Sequence, residues 1–235
     1  MFSSFFCRRK SFKLVEARTE VNDQPFNIDV VRQLDIHNPD AIEQFHNRFI
    51  NANELTLTED FDISHGSIVD GLNRIISLQQ LTNLTLQCHH FPFEKLLELL
   101  HYTPHLHTLG LRSVSICPTS STCMQKNSLF RTLSDTNLII NLTIDNEITS
   151  KEFQYLSALF PRLESLTLQF ERANWKPILL FVLSKANKNT RRLSSLCISK
   201  RTQVLIGKMR NLIESKHLLE YYTLKQISGK LYLWW

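Results

Sequence analysis

Glycine is scarce in this chain, at 5 of 235 residues. Phosphate-cradling loops and glycine-punctuated β-barrels both draw on glycine, so neither class is expected. Long apolar runs are missing as well. One of the longest, ILLFVL at residues 178–183, falls far short of the ~20 residues that span a bilayer, so no membrane partner is expected. The five cysteines (Cys7, Cys88, Cys117, Cys123 and Cys197) include no Cys-x-x-Cys pair. That spacing fits neither a disulfide framework nor a zinc site, and it points to reduced thiols in an intracellular compartment, cytoplasmic or nuclear. There is no Gly-x-Ser-x-Gly elbow and no cysteine in a protease-like setting. The expectation is a non-enzyme without catalytic residues, metal or cofactor.

What is present suits a folded domain. Hydrophobic residues make up 43% of the chain and charged residues 21%, enough apolar surface for a core and too little charge for a polyelectrolyte. The basic, acid-free start MFSSFFCRRKSFK lacks the apolar segment of a secretory signal. Residues 1–24 therefore read as an N-terminal tail, disordered or truncated, and residues 25–235 as one domain. Charge is uneven: residues 171–235 hold 13 Lys and Arg against 3 Asp and Glu, whereas residues 1–170 hold 14 against 19.

Internal repetition decides the architecture. TPHLHTLGL from Thr103 and FPRLESLTL from Phe160 both read x-P-x-L-x-x-L-x-L. The L-x-x-L-x-L part returns in LQQLTNLTL (Leu78), ANELTL (Ala52), IINLTI (Ile139) and LSSLCI (Leu193), with VRQLDI (Val31) as a degenerate first copy. The central leucines are Leu34, Leu55, Leu84, Leu109, Leu142, Leu166 and Leu196, spaced by 21, 29, 25, 33, 24 and 30 residues. In a strand, alternate side chains point to opposite faces, so Leu84 and Leu86 face one way and Asn83, Thr85 and Gln87 the other.

Segments of helical period lie between these strands. NPDAIEQFHNRFI places Ile42, Phe45 and Phe49 on one stripe, and GSIVDGLNRII does so with Ile68, Leu72, Ile75 and Ile76. FEKLLELLH and NWKPILLFVLSKA read the same way, and TSKEFQYLSALF opens with Thr149 and Glu152 spaced as a capping box. Strand followed by helix, repeated, implies a parallel sheet with helical crossovers. The polar stretch CPTSSTCMQKNS at residues 117–128 reads as a loop within the array.

The repeats resemble leucine-rich repeats. The resemblance implies an α/β leucine-rich-repeat solenoid, a curved parallel sheet inside and helices outside, whose open ends need covering. Residues 203–235 are the expected C-terminal cap: a helix, VLIGKMRNLIES, then a β-hairpin, YYTLKQISGKLYLWW, turning at Ser228-Gly229 and closing the array. With that turn, Tyr222, Leu224, Leu231, Leu233 and Trp235 share the inner face, and Thr223, Lys225, Lys230, Tyr232 and Trp234 the outer one. A closing KLYLWW after such an array also resembles the end of F-box-like leucine-rich-repeat proteins. In that family an F-box recruits ubiquitin-ligase machinery and the repeats hold the substrate. The resemblance spans roughly residues 30–235, and no F-box pattern is visible in residues 1–30.

Outward strand positions define the candidate concave binding face. They are Glu54, Thr56 and Thr58; Asn83, Thr85 and Gln87; Thr108, Gly110 and Arg112; Asn141, Thr143 and Asp145; Ser165, Thr167 and Gln169; and Ser195, Cys197 and Ser199. This face is small, polar and without an aromatic, and Arg112 is its one typical interface anchor. A candidate basic patch comprises Lys185, Lys188, Arg191, Arg192, Lys200 and Arg201. Cys88, His89, His90, His101, His105 and His107 cluster in sequence, but His89 and His90 point to opposite sides if they extend the strand, and His105 and His107 flank Leu106 about one repeat away, so the group is not expected to bind metal.

The functional expectation is a non-enzymatic protein–protein interaction module, a monomer or a subunit of a larger complex, with a partner of unknown identity. The family resemblance implies the substrate-recognition part of an F-box-type ubiquitin-ligase adaptor. The alternative is a binder of anionic ligands, nucleic acid or acidic lipid, through the basic C-terminal third; nucleic acid is not the expected partner.

Overall fold

The computed structural model describes residues 10–14, 28–38, 42–43, 45–58, 68–89, 91–115, 128–170, 175–184, 187–199 and 202–235. Three strands come first: β1 (Lys10–Leu14), β2 (Val31–Ile36) and β3 (Glu54–Leu57). Helix α1 (Ile68–Ile75), β4 (Asn83–Leu86), the short β5 (Phe91–Pro92) and α2 (Phe93–His101) follow. Next are β6 (Thr108–Leu111), the short β7 (Val114–Ser115), α3 (Ser128–Thr136), β8 (Asn141–Ile144) and α4 (Ser150–Leu159). The chain goes on through β9 (Ser165–Leu168), α5 (Trp175–Val182), β10 (Ser195–Ile198) and α6 (Thr202–Ser215) to the hairpin β11 (Thr223–Ile227) and β12 (Lys230–Trp234).

The architecture is mixed α/β around one open, mostly parallel sheet of ten strands in the order β1-β2-β3-β4-β6-β8-β9-β10-β12-β11. Its parallel part is in register on the repeated leucines. Leu34 pairs with Leu55, Leu55 with Leu84, Leu84 with Leu109, Leu109 with Leu142, Leu142 with Leu166, and Leu166 with Leu196. Each of these leucines is buried. Helices α1 to α5 pack side by side in chain order, and their apolar stripes join the strand leucines in one core. Phe93 of α2 meets Phe130 of α3 at 6.4 Å, and Phe153 of α4 meets Phe181 of α5 edge-on at 5.9 Å. The helices thus cover the leucine face of the sheet. Among the described residues, no helix lies on the opposite face.

Local chemistry sets the helix boundaries. The capping box of α4 forms: Glu152 N–H donates to Thr149 Oγ1 (3.2 Å) and Thr149 N–H to the Glu152 carboxylate (2.8 Å). Buried polar side chains satisfy carbonyls left over at helix ends. Thr103 Oγ1 donates to Leu99 O (3.1 Å), Thr190 Oγ1 to Val182 O (3.1 Å) and Asn137 Nδ2 to Leu159 O (2.8 Å).

Several elements depart from the sequence expectation. The helix expected across NPDAIEQFHNRFI is helical at Ile42 and Glu43 but irregular from Phe45 to Arg48. There the Phe45 and Phe49 rings stack at 5.0 Å, and Phe49 N–H donates to Ile75 O, contacts that a continuing helix would not make. Part of the expected N-terminal tail is β1, paired in parallel with β2; residues 1–9 and 15–24 lie outside the described residues. Residues 117–127 of the expected polar loop lie outside them too, and Ser128 already opens α3. The hairpin turns at Ser228-Gly229 as expected, with Ile227 opposite Lys230 and Leu224 opposite Leu233. It does not close the sheet. It adds two strands to one end, leaving β1 and β11 as edges.

Candidate binding face on the open side of the sheet

The parallel register carries the outward side chains into rows that run across the strands. One row is Glu54, Asn83, Thr108, Asn141, Ser165 and Ser195. The next is Thr56, Thr85, Gly110, Thr143, Thr167 and Cys197. A third forms just beyond the strands, where each backbone N–H still reaches the preceding repeat. Thr58 donates to Ile36 O, Gln87 to Leu57 O, Arg112 to Leu86 O, Asp145 to Leu111 O, Gln169 to Ile144 O and Ser199 to Leu168 O, all between 2.7 and 3.1 Å. The structure therefore brings the expected face residues together on one surface. Gln33 and Asp35 of β2 extend the first two rows, linked by Gln33 Nε2 donating to Asp35 Oδ1 (3.2 Å).

Neighbouring rows also restrain one another. Asn141 Nδ2 donates to Thr108 Oγ1 across the strands at 3.4 Å. At Gly110 a Cβ would lie 3.2 Å from Thr85 Oγ1 and Cγ2, so the glycine leaves room for the neighbouring threonine. Most strand positions of the face are half-buried; Cys197, Gly110 and the cysteine's neighbour Ile198 are buried.

The hairpin changes the character of this surface. β12 pairs antiparallel with β10, placing Trp234 opposite Ser195 and Tyr232 opposite Cys197. Directly opposed residues share a side of the sheet, so both aromatics join the open face. Their rings stack at a centroid distance of 5.4 Å and 7° between planes. Hydrogen bonding to the Cys197 side chain pushes the Tyr232 phenol above the ordinary tyrosine range. β11 then adds Thr223 opposite Trp234, Lys225 opposite Tyr232 and Ile227 opposite Lys230. Lys225 and Lys230 are exposed, and Ile227 is 48% exposed.

The face is thus not free of aromatics, as the strand motifs alone suggest. Alternation within KLYLWW already separated Tyr232 and Trp234 from Leu231 and Leu233. What the motifs do not contain is the strand that the hairpin joins, or the direction in which it runs.

The candidate basic patch is less coherent. Lys188, Arg191 and Arg192 are exposed around the turn that enters β10, while Lys185, Lys200 and Arg201 lie outside the described residues. His89, His101, His105 and His107 are exposed, and His90 is outside the described residues. Among the described residues, no group of three or more His, Cys, Asp and Glu is placed to hold a metal, and no helix is long and apolar enough to cross a membrane. The Cys88 thiol points inward and donates to Thr58 O (3.2 Å); burial pushes its pKa up to about 11. A cavity of about 60 Å³ between the ends of α2 and α3 is lined by Leu100, Thr103, Leu133 and Asn137 among others, too small for a drug-sized ligand.

No family model, curated protein or solved structure matches the chain.

Proposed function

We propose that the chain is a leucine-rich-repeat-type solenoid that works as a non-enzymatic protein-binding module, with the open face of its sheet as the binding surface. The observation that carries this reading is a continuous face that no helix of the described residues covers, with in-register rows of short polar side chains ending in the stacked Tyr232 and Trp234. Ser, Thr and Asn lose little rotamer entropy on contact and leave the surface flat. Most interface energy comes from Trp, Tyr and Arg. Here Arg112 stands near the middle of the face and the aromatic pair near one end. A ladder hydrogen-bonded on both sides holds these groups in fixed relative positions, which suits recognition of an extended surface on another protein.

The likeness to F-box-like leucine-rich-repeat proteins makes the bound partner a ubiquitin-ligase substrate, and the chain the receptor half of an adaptor. Affinity capture from the source cells tests both levels, comparing the intact chain with a Thr143→Arg/Thr167→Arg variant that crowds the middle of the face. The expected result is a set of proteins retained by the intact chain and lost with the variant, together with ligase subunits retained by both. Ligase subunits missing from both would remove the adaptor role. An identical retained set would remove the binding face.

A further inference from the structure

We propose that the hairpin end of the open face docks an extended, acidic peptide segment of a partner protein, seated on the stacked Tyr232 and Trp234 rings between Lys225 and Lys230. This rests on the reading of the open face as a protein-binding surface and names the chemistry that binds there.

Charge is graded along the face. Asp35 and Glu54 lie on the neighbouring strands β2 and β3. From β4 to β10 the outward positions within the strands are uncharged (Asn, Thr, Gly, Ser and Cys), and just beyond them Arg112 and Asp145 stand on adjacent repeats with opposite charges that offset one another. On β12 and β11 they include Lys230 and Lys225 and no carboxylate. An acidic chain is therefore attracted at the hairpin and repelled at β2 and β3, which selects one end of the sheet.

Spacing agrees with charge. Lys225 lies opposite Tyr232, and Lys230 is two positions further along β12. Such diagonal neighbours are roughly 7–8 Å apart. Alternate side chains on one edge of an extended peptide repeat at about 6.8 Å. Carboxylates at positions i and i+2 of the peptide thus match the two ammonium groups, and an apolar side chain further along the same edge, at i−2 or i+4, can rest on the rings and on Ile227, which is 48% exposed. Tyr and Trp supply this contact area with few rotatable bonds to immobilise. Single-stranded nucleic acid fits less well. Each ring already stacks on the other, and a tracked backbone calls for a run of cations rather than two lysines among serines and threonines.

The test is fluorescence anisotropy with a fluorescein-labelled peptide of Glu-Ser-Glu-Ser-Leu-Ser repeats, which carries its carboxylates and its leucine on one edge when extended. Its Lys-for-Glu counterpart and an oligothymidylate of matching length serve as competitors in chemistry. The acidic peptide should bind saturably and more tightly than either. Lys225→Glu/Lys230→Glu should weaken it by about tenfold or more with an unchanged melting curve, since both lysines are exposed. Lys151→Glu, an equally exposed charge reversal on helix α4 of the covered side, should leave it as it was. Undiminished binding by the lysine variant, no saturation, or tighter binding of the oligothymidylate would each overturn the proposal. The broader reading is judged apart. If the Thr143→Arg/Thr167→Arg variant still loses captured proteins, the face remains a binding surface and only the acidic-peptide site is lost.

Discussion

Among the described residues, His217 and Ser228 occupy backbone conformations that normally favour glycine. Ser228, with φ 48°, shares the hairpin turn with Gly229, φ 77°. Positive φ at both central residues is the I′ geometry, for which Asn-Gly is the preferred pair. Ser228→Asn should raise stability by about 0.5 kcal/mol, read as an upward shift in Tm. His217, with φ 49°, ends α6: its N–H donates to Glu214 O and Leu218 N–H to Ile213 O, the paired bonds of a Schellman ending. His217→Gly should stabilise by up to ~1 kcal/mol, and a loss of stability would show that the imidazole contributes more than the strain costs. Cys88 gives a pH prediction. Its folded pKa of about 11 lies above the ordinary 9.0, so the unfolded chain releases this proton first as pH rises. The protonated thiol's contribution is complete below pH 9 and is lost between about 9 and 11. Denaturant midpoints should therefore fall over that window, and Cys88→Ala should flatten the fall. In the native protein near pH 8, Cys88 should resist maleimide until the chain is unfolded.

At the scale of elements, inward and outward neighbours should behave differently. Leu166 is fully buried in β9 and Thr167 is half-buried on the open face. Leu166→Ala should cost roughly 2–5 kcal/mol and Thr167→Ala little, by denaturant titration. Equal costs would mean a different strand register. In the hairpin, Trp235 packs against the core while Trp234 stacks on Tyr232. Trp235→Ala should be the more destabilising of the two, and the reverse order would exchange the faces. Strands carrying the leucine motif were readable because burial and register both depend on the same alternating residues. The α4 cap and the Ser228-Gly229 turn were readable because both are set by a few adjacent residues. α3 was not, since SLFRTLSDT buries only Phe130 and Leu133, too few apolar positions to stand out beside the polar stretch before it. β1 was obscured for another reason: KSFKL gains its place by pairing with β2, seventeen or more residues later in the chain. The aromatic end of the open face depends on the same kind of long-range pairing, between β10 and β12.

For the whole molecule, the order β10-β12-β11 matters more than the hairpin's own stability. A parallel ladder presents the same hydrogen-bonding pattern at each new edge, so nothing in β10 itself stops another strand from adding. β12 runs against the ladder, and β11 places exposed Lys225 on the final edge. Removing residues 231–235 would uncover β10, and β11 would lose its pairing partner as well. A ladder edge on one copy could then accept the opposite edge, β1, of the next. Contacts of that head-to-tail kind are heterologous, and unless the rotation between copies closes a ring their product is a filament rather than a dimer. The truncated chain should grow into fibrils visible by electron microscopy, with a lag that shortens as concentration rises. The reversed strand is, in this sense, a terminator of polymerisation.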